Sequence, residues 1–163
     1  MNRYFIYVDI KRCIGCHSCE LACKQENNMP VGPKRIEVIE KGPYKKGDRL
    51  ITEYIPVMCK HCGDPPCAKA CPTNAITNHE DGIVLINPDL CIGCKACIET
   101  CPFTAISFNP DKNVAEKCTL CIHRIEKGLL PACVIHCPAD ALHFGDIHQV
   151  TSNIRAQKAL NCQ

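Results

Sequence analysis

The spacing of the cysteines constrains this chain more than any other feature. Sixteen of the seventeen cysteines fall into four groups of four, and Cys162 is left over. Cysteine makes up about a tenth of the 163 residues, a level reached by disulfide scaffolds and by metal proteins. Numbered along the chain, the groups are Cys13, Cys16, Cys19 and Cys23; Cys59, Cys62, Cys67 and Cys71; Cys91, Cys94, Cys97 and Cys101; and Cys118, Cys121, Cys133 and Cys137.

Groups one and three have the spacing C-x₂-C-x₂-C-x₃-C, which suits a [4Fe–4S] cluster. Three closely spaced cysteines let a tight loop wrap one cubane, and the fourth, placed after a helical turn, faces the other cluster of a pair. Groups two and four keep both ends of this pattern and lengthen its middle spacing to four and eleven residues. The repeat predicts sixteen ligands for four clusters, with Cys162 as a free thiol.

Zinc and disulfides are the alternatives for so many cysteines. Tetrahedral zinc takes two C-x₂-C pairs, and a third thiolate two residues further on has no place in that geometry. A disulfide framework needs export, yet the apolar run at the N-terminus is broken by Asp9 and Lys11 and no cleavage site follows. We therefore expect a cytoplasmic protein with metal-bound thiolates, although export with a signal-bearing partner stays open.

The net charge argues against a nucleic-acid partner once the clusters are counted. The polypeptide carries a formal charge of +2. A [4Fe–4S]²⁺ core with four thiolates carries about −2, so four clusters bring the total to roughly −6. No stretch approaches the ~20 apolar residues of a membrane-spanning helix, so no direct membrane span is expected.

Local sequence repeats along with the cysteines and predicts an α+β fold. Residues 4–9 and 82–88 read as strands that lead into cluster loops, and a further strand is expected after the closing cysteines. Proline follows three of those closing cysteines, at Pro72, Pro102 and Pro138, which predicts the start of a helical turn. The cysteine-free residues 35–40 and 49–55 flank a turn-rich stretch and predict a β-hairpin.

Three motifs give the chain a resemblance to a known family. Residues 8–19 (VDIKRCIGCHSC), 56–67 (PVMCKHCGDPPC) and 117–133 (KCTLC, later GLLPAC) resemble the four-cluster iron–sulfur subunits of molybdenum and tungsten oxidoreductases. Dimethyl sulfoxide reductase, polysulfide reductase and formate dehydrogenase have such subunits. The absence of a long C-terminal part makes the chain similar to short soluble versions found with tungsten aldehyde oxidoreductase and carbon monoxide dehydrogenase.

The resemblance implies two bacterial-ferredoxin-like units, each for two [4Fe–4S] clusters, one nested within the other. Residues 1–29 and 111–147 would form the outer unit, residues 57–110 the inner unit, residues 30–56 an inserted β-hairpin and residues 148–163 a C-terminal tail. It also implies that each closing cysteine serves a neighbouring cluster. The implied ligand sets are Cys13, Cys16, Cys19 and Cys137; Cys59, Cys62, Cys67 and Cys101; Cys91, Cys94, Cys97 and Cys71; and Cys118, Cys121, Cys133 and Cys23.

The function implied by the resemblance is anaerobic electron transfer without catalysis. The clusters would relay electrons between a catalytic molybdenum or tungsten pterin subunit and a second redox partner, which could be a flavoprotein, a ferredoxin or another copy of the chain. The alternative is a free polyferredoxin that serves several enzymes and could associate into a longer row. Histidines within the cysteine groups (His17, His61, His123 and His136) are expected to hydrogen-bond near the clusters rather than to ligate them.

Overall fold

A computed structural model describes residues 3–160, and Cys162 lies outside them. Those residues form short strands paired two by two, with helices between them. The strands are β1 (Tyr4–Val8), β2 (Ile36–Lys46), β3 (Arg49–Met58), β4 (Ile76–Asn78), β5 (Val84–Ile86), β6 (Ile106–Asn109), β7 (Val114–Lys117) and β8 (Leu142–Asp146). The helices are α1 (Ser18–Glu26), α2 (Pro66–Lys69), α3 (Ala96–Glu99), α4 (Ile122–Ile125), α5 (Ala132–Ile135) and α6 (Ile147–Leu160).

The strand pairing joins sequence neighbours in three ladders and distant segments in the fourth. Strands β2 and β3, β4 and β5, and β6 and β7 each pair antiparallel as hairpins. Strand β1 pairs antiparallel with β8, so that Tyr4 lies opposite Asp146 and Val8 opposite Leu142. The β1–β8 ladder therefore encloses nearly the whole chain. The predicted strand at residues 4–9 is confirmed as β1.

The segments that follow the closing cysteines confirm the predicted strands and correct the predicted helices. Strands β4, β6 and β8 follow Cys71, Cys101 and Cys137, as expected. Each proline, however, occupies a tight turn, because the amide three residues after the cysteine bonds to the cysteine carbonyl, at 3.3 Å for Asn74 and Cys71. Proline fits the second position of such a turn, where its fixed φ is already correct. The short helices α2, α3 and α5 end just before the closing cysteines instead.

The two larger apolar cores of the described residues hold the ladders together. The larger core contains Ile6 of β1, Met58 of β3 and Leu142 of β8, each buried, together with cysteines of groups one and four. The smaller core contains Ile76, Val84 and Ile106 from β4, β5 and β6, together with Cys67 and Cys97. Cysteines thus belong to both cores, and burial desolvates their thiols.

The β2–β3 hairpin anchors its base in the larger core and extends its tip into solvent. Ile36 and Val38 of β2 are buried, whereas Leu50 near the tip is 72% exposed. The Val38 amide donates a 2.6 Å hydrogen bond to Glu20 Oε1 of α1, which fixes the hairpin base against that helix. Both strands are longer than residues 35–40 and 49–55, and the connecting turn is correspondingly shorter.

Helix α6 occupies most of the predicted C-terminal tail. Asp146 starts it, because Asp146 Oδ1 accepts the His148 amide at 2.9 Å while Oδ2 accepts the Arg3 amide at 3.0 Å. Val150 is buried against the rest of the molecule. Over residues 3–160, no helix combines the length and the apolar character required to cross a membrane.

Candidate metal centres

We group the sixteen described thiols into four predicted sets, each with three cysteines from one sequence group and a fourth from another. Three thiols of each set come from one loop, and the set is named after the first cysteine of that loop. The Cys13 set is Cys13, Cys16, Cys19 and Cys137; the Cys59 set is Cys59, Cys62, Cys67 and Cys101; the Cys91 set is Cys91, Cys94, Cys97 and Cys71; and the Cys118 set is Cys118, Cys121, Cys133 and Cys23.

Two sets line well-defined pockets with all four of their cysteines. The Cys118 set lines one pocket, under Ile6 and Met58 of the larger core. The Cys59 set lines the other, beside Val84 and Ile106 of the smaller core. In both pockets, the fourth cysteine comes from a different sequence group; whether it ligates the cluster there stays a prediction.

In the other two sets, thiols of one set influence one another's pKa. Burial, with smaller contributions from Glu20, Cys13 and Cys137, raises the pKa of Cys19 to about 12. Burial, with contributions from Cys91 and Cys94 among others, raises the pKa of Cys97 to about 11. These influences link three members of the predicted Cys13 set and three of the predicted Cys91 set.

Cys71 reaches the Cys91 loop through a threonine. Cys71 Sγ lies 3.6 Å from Thr73 Oγ1, and that hydroxyl donates a 2.7 Å hydrogen bond to the Leu90 carbonyl, one residue before Cys91. Cys71 and Cys91 also pack against the same core. For Cys16, by contrast, no interaction with the other members of its set is found among the described residues.

Some thiols of different sets influence one another's pKa. Burial raises the pKa of Cys97, Cys118 and Cys133, and smaller contributions in the same direction come from Cys67, Cys59 and Cys19 respectively. These influences predict that the sets follow one another in the order Cys91, Cys59, Cys118 and Cys13. Among the sixteen described cysteines, the two exposed ones are Cys94 and Cys16, one in each end set.

The cysteine loops use left-handed backbone conformations to aim amides at sulfur. Gly15 and His17 in the first loop have φ values of 68° and 58°, and Gly93 and Lys95 in the third have 70° and 65°. Consecutive amides in such alternating conformations form anion-binding concavities. Direct N–H···S bonds reach Cys59 from His61 at 3.4 Å, Cys118 from Leu120 at 3.3 Å and Cys137 from Ala141 at 3.2 Å. Such bonds help to set the potential of a cluster.

The four histidines make hydrogen bonds to protein groups, as expected of residues that support a site. His61 Nδ1 accepts the Val84 amide at 3.0 Å, and burial lowers the pKa of His61 to about 3, with Lys117 and Arg3 adding to the effect. His123 Nε2 lies 2.8 Å from Glu26 Oε1. His17 Nδ1 lies 3.2 Å from Glu20 Oε1, and His136 Nδ1 lies 2.9 Å from the Ala132 carbonyl.

Sequence reasoning missed two further side chains at the Cys118 set. Asn27 Nδ2 lies 3.7 Å from Cys23 Sγ, while its Oδ1 accepts a 2.8 Å hydrogen bond from Arg35. Lys117, the last residue of β7, is 2% exposed and lies against the Cys118 loop. A lysine directly before a cysteine gives a weak signal in the sequence, and Asn27 gives none, because its position depends on how α1 packs.

The donor chemistry of the sets fits [4Fe–4S] clusters. All sixteen described cysteines are free thiols, so each set can present sulfur to the four iron corners of one cubane. Part of the chain also matches known families. Residues 50–147 match the family model described as a 4Fe-4S dicluster domain, and residues 12–76 match a second model of the same description.

The chain belongs to the 4Fe-4S dicluster family. Two matches of this kind and sixteen cysteines account for four [4Fe–4S] clusters, two per dicluster domain. This identifies the cofactor type and confirms a small mixed fold of helices and strands with ferredoxin-like dicluster domains. Which four cysteines bind each cluster stays a prediction.

Curated relatives of this dicluster protein are similar over almost all of the chain. It is 42% identical to the putative iron-sulfur subunit of a dimethyl sulfoxide reductase from Halobacterium salinarum, over 94% of this chain and 70% of the relative. It is 42% identical to a tetrathionate reductase subunit of Salmonella typhimurium, over 94% of this chain and 62% of the relative. It is 41% identical to a thiosulfate reductase electron transfer subunit of Salmonella typhi, over 91% and 78%.

Proposed function

We propose that this chain is the non-catalytic electron-transfer subunit of an oxidoreductase complex. One observation carries the proposal: in each of two pockets, four cysteines drawn from two sequence groups line the walls. We place all four sets in a row whose end sets contain the exposed Cys16 and Cys94. Bound [4Fe–4S] clusters supply one-electron redox chemistry at each position of such a row. The chain's own part is to hold the thiolates, to exclude water from the middle of the row and to leave its ends accessible.

The proposed ligands are the sixteen cysteines in the Cys13, Cys59, Cys91 and Cys118 sets. Two pockets lined by complete sets support this assignment. Burial supports it too, because Cys23, Cys121 and Cys133 are all below a tenth exposed and so sit where a cluster would be shielded from water. Full cysteine ligation leaves no open position on a cluster for a substrate, which is why we assign no catalytic residue.

The proposed architecture is an inner dicluster unit, residues 57–110, enclosed by an outer unit of residues 1–29 and 111–147. Pairing of β1 with β8 supports an outer unit that is built from both ends of the chain. Residues 30–56 form the proposed inserted hairpin, and residues 148–163 the tail. The β6–β7 hairpin crosses residue 110, so β7 contributes its hydrogen bonds to the inner unit although it lies beyond that limit.

The proposed partner at one end is a catalytic subunit that contains a molybdenum or tungsten pterin. Relatives named as subunits of dimethyl sulfoxide, tetrathionate and thiosulfate reductases support a partner of this class. The second redox partner would dock at the other end of the row. The proposed location is the cytoplasm, where thiols stay reduced, and cell fractionation distinguishes it from export with a signal-bearing partner.

The surfaces at both ends of the row are suited to protein contacts. Ile14, between Cys13 and Cys16, is 62% exposed, and Ile92, between Cys91 and Cys94, is 60% exposed. Exposed apolar side chains within the cluster loops favour a closely packed contact with a protein partner. Each end thus presents a similar Cys-Ile-Gly-Cys loop to a partner.

Anaerobic purification of the native complex tests the proposal. We expect about sixteen iron atoms per chain, from four clusters of four iron atoms, and a stoichiometric large subunit with bound pterin. A fully loaded chain that co-purifies with no such subunit would contradict the proposal and favour the free shuttle. An iron content of about eight or fewer atoms in freshly isolated protein would contradict the four-cluster assignment itself.

A further inference from the structure

Lys117 is a buried lysine at the junction of the two middle sets. Its side chain is 2% exposed. The Lys117 ammonium donates hydrogen bonds to the Val84 carbonyl of β5 and, at 3.2 Å, to the Cys118 carbonyl. Val84 lines the pocket of the Cys59 set, and Cys118 belongs to the next set along the row. One side chain therefore contacts the walls of both sites.

No carboxylate pairs with this ammonium group within the described part of the chain. The ion pairs found over residues 3–160 do not include Lys117. The neighbouring Glu116 is engaged elsewhere, since it accepts a 3.0 Å hydrogen bond from Asn109 and lies 3.6 Å from Arg35. Two backbone carbonyls satisfy part of the hydrogen-bonding capacity of the ammonium group but do not cancel its charge.

A buried charge is costly unless another charge compensates it. The groups that can compensate the charge of Lys117 are thiols. Burial raises the pKa of both Cys67 and Cys118, and the ammonium group of Lys117 works against that effect. These two thiols belong to different sets. When both sets hold [4Fe–4S]²⁺, each carries a charge of about −2. The clusters would then supply the counter-charge that the protein itself omits.

We propose that Lys117 supplies a fixed positive charge that favours the reduced state of the clusters in the Cys59 and Cys118 sets. The clusters in the two end sets would be favoured less. The inference rests on the proposed electron-transfer function. Reduction adds negative charge to a cluster, and a nearby cation stabilises that added charge most where water is excluded. Electrons that enter at either end would therefore reside preferentially in the middle of the row.

The second consequence of the same contacts is structural. Val84 is held from both sides, because its amide donates to His61 Nδ1 and its carbonyl accepts from Lys117. His61 belongs to the loop of the Cys59 set, while Lys117 leads directly into the Cys118 loop. The ammonium group therefore fixes the spacing between the two middle clusters, on which the rate of transfer between them depends.

A redox titration of the holoprotein, followed by electron paramagnetic resonance, tests the proposal on Lys117→Gln. Glutamine keeps an N–H donor and removes the charge. We expect two of the four potentials to fall, each by enough to change the ratio of reduced to oxidised cluster at least tenfold, which is 59 mV for one electron. The other two should change less. Lys60→Gln is the matched control, because Lys60 directly follows Cys59 but is exposed to solvent, so its shifts should be smaller.

Each result decides the question. Unchanged potentials in a fully loaded Lys117→Gln protein, or four equal shifts, would overturn the inference and leave the proposed function intact. If Lys117→Gln loses clusters, the variant Lys117→Arg decides. Four clusters with near-native potentials in Lys117→Arg would support a role of the positive charge. An equal loss of clusters in Lys117→Arg would overturn that role. Wild-type protein without about sixteen iron atoms per chain would instead refute the proposed function.

Discussion

The inner hairpins, β4–β5 and β6–β7, and the end-joining ladder, β1–β8, support cysteine sets in opposite ways. Each inner hairpin pairs segments a few residues apart, such as Ile76 with Ile86. The end-joining ladder pairs Val8 with Leu142. Closing so long a loop loses more chain entropy than closing a short one. From this difference we predict that the Cys59 and Cys91 sets form from nearby sequence, while the Cys13 and Cys118 sets need the whole chain.

The packing around the two ladders matches this difference. The larger core beside β1 and β8 includes Ile6, Met58 and Leu142, all large aliphatic side chains. The smaller core under the inner hairpins includes Val84, Ala115 and Ile106. Apolar burial contributes roughly 25 cal/mol per Å². The β1–β8 ladder, whose formation costs more chain entropy, therefore packs against the larger apolar core.

The largest expected effect comes from removing a buried ligand of the Cys118 set. Cys133 is 5% exposed, and burial together with four neighbouring thiols raises its pKa. In Cys133→Ala, we expect the loss of about four iron atoms, because no water can reach the site to replace the thiolate. Hydrogen exchange in β1 and β8 should also accelerate, since Cys133 packs in the same core as Ile6 and Leu142.

Cys71→Ala is the matched change under the inner hairpins. Cys71 is only half-buried, so solvent can supply a substitute ligand and the loss of iron should be smaller. Exchange in β1 and β8 should stay as in the unchanged protein. Equal loss of iron and of protection in both variants would break the comparison between the two regions. Iron analysis and hydrogen exchange by mass spectrometry measure the two quantities.

A smaller effect is expected from truncating one apolar side chain in each core. Leu142 of β8 is 2% exposed and Ile76 of β4 is 6% exposed. Substituting either by alanine should lower the free energy of unfolding by about 2–5 kcal/mol. We expect Leu142→Ala near the upper end, because it weakens the ladder that closes the chain. Denaturant titration of the holoprotein under anaerobic conditions provides the measurement, and a larger effect of Ile76→Ala would contradict this ordering.

The smallest expected effect concerns one ion pair in each region. Glu26 of α1 binds both His123 and Arg124 of α4 at 2.8 Å, and the hydrogen bond from His123, followed by the charge of Arg124, lowers the pKa of Glu26. Asp64 pairs with Lys69 where both side chains are more than two-thirds exposed. Asp64→Ala should therefore change the free energy of unfolding by less than about 1 kcal/mol.

Glu26→Ala should have the larger effect of the two, since it separates α4 from α1 beside the Cys118 set. Thermal unfolding, monitored through the visible absorbance of the clusters, can resolve the difference. Raising the salt concentration provides the control, because salt screens the exposed Asp64–Lys69 pair more strongly than the partly buried Glu26–Arg124 pair. Identical midpoints for the two variants at low salt would remove this part of the comparison.

Much of the site could be predicted because cluster loops are local. The three-cysteine loops, the strands after the closing cysteines and the strand at residues 4–9 follow from short-range spacing and alternation. The expectation of helices at Pro72, Pro102 and Pro138 was wrong, because proline suits a tight turn as well as a first helical position. Two or three residues of sequence do not distinguish a tight turn from the start of a helix. The hydrogen bond that closes each turn does.

Lys117 and Asn27 show why the surroundings of the clusters could not be predicted. A lysine is usually exposed, so a sequence gives little reason to expect one buried between two metal sites. Its burial depends on the approach of β5 to β7, and the position of Asn27 depends on Arg35 at the base of the β2–β3 hairpin. Both contacts join segments that are separate in sequence.

The cysteine spacing by itself determined the chemistry: four groups of thiols, a cubane for each, and a fold of short strands and helical turns. It did so because the three thiols of a cluster loop come from one short segment of the chain, whose spacing obeys local geometry. The tertiary structure decided that thiols of different groups share a pocket, as Cys23 does with Cys118, Cys121 and Cys133. That outcome depends on β1 pairing with β8 and on α1 packing against α5, which are contacts over more than 100 residues that local spacing does not encode.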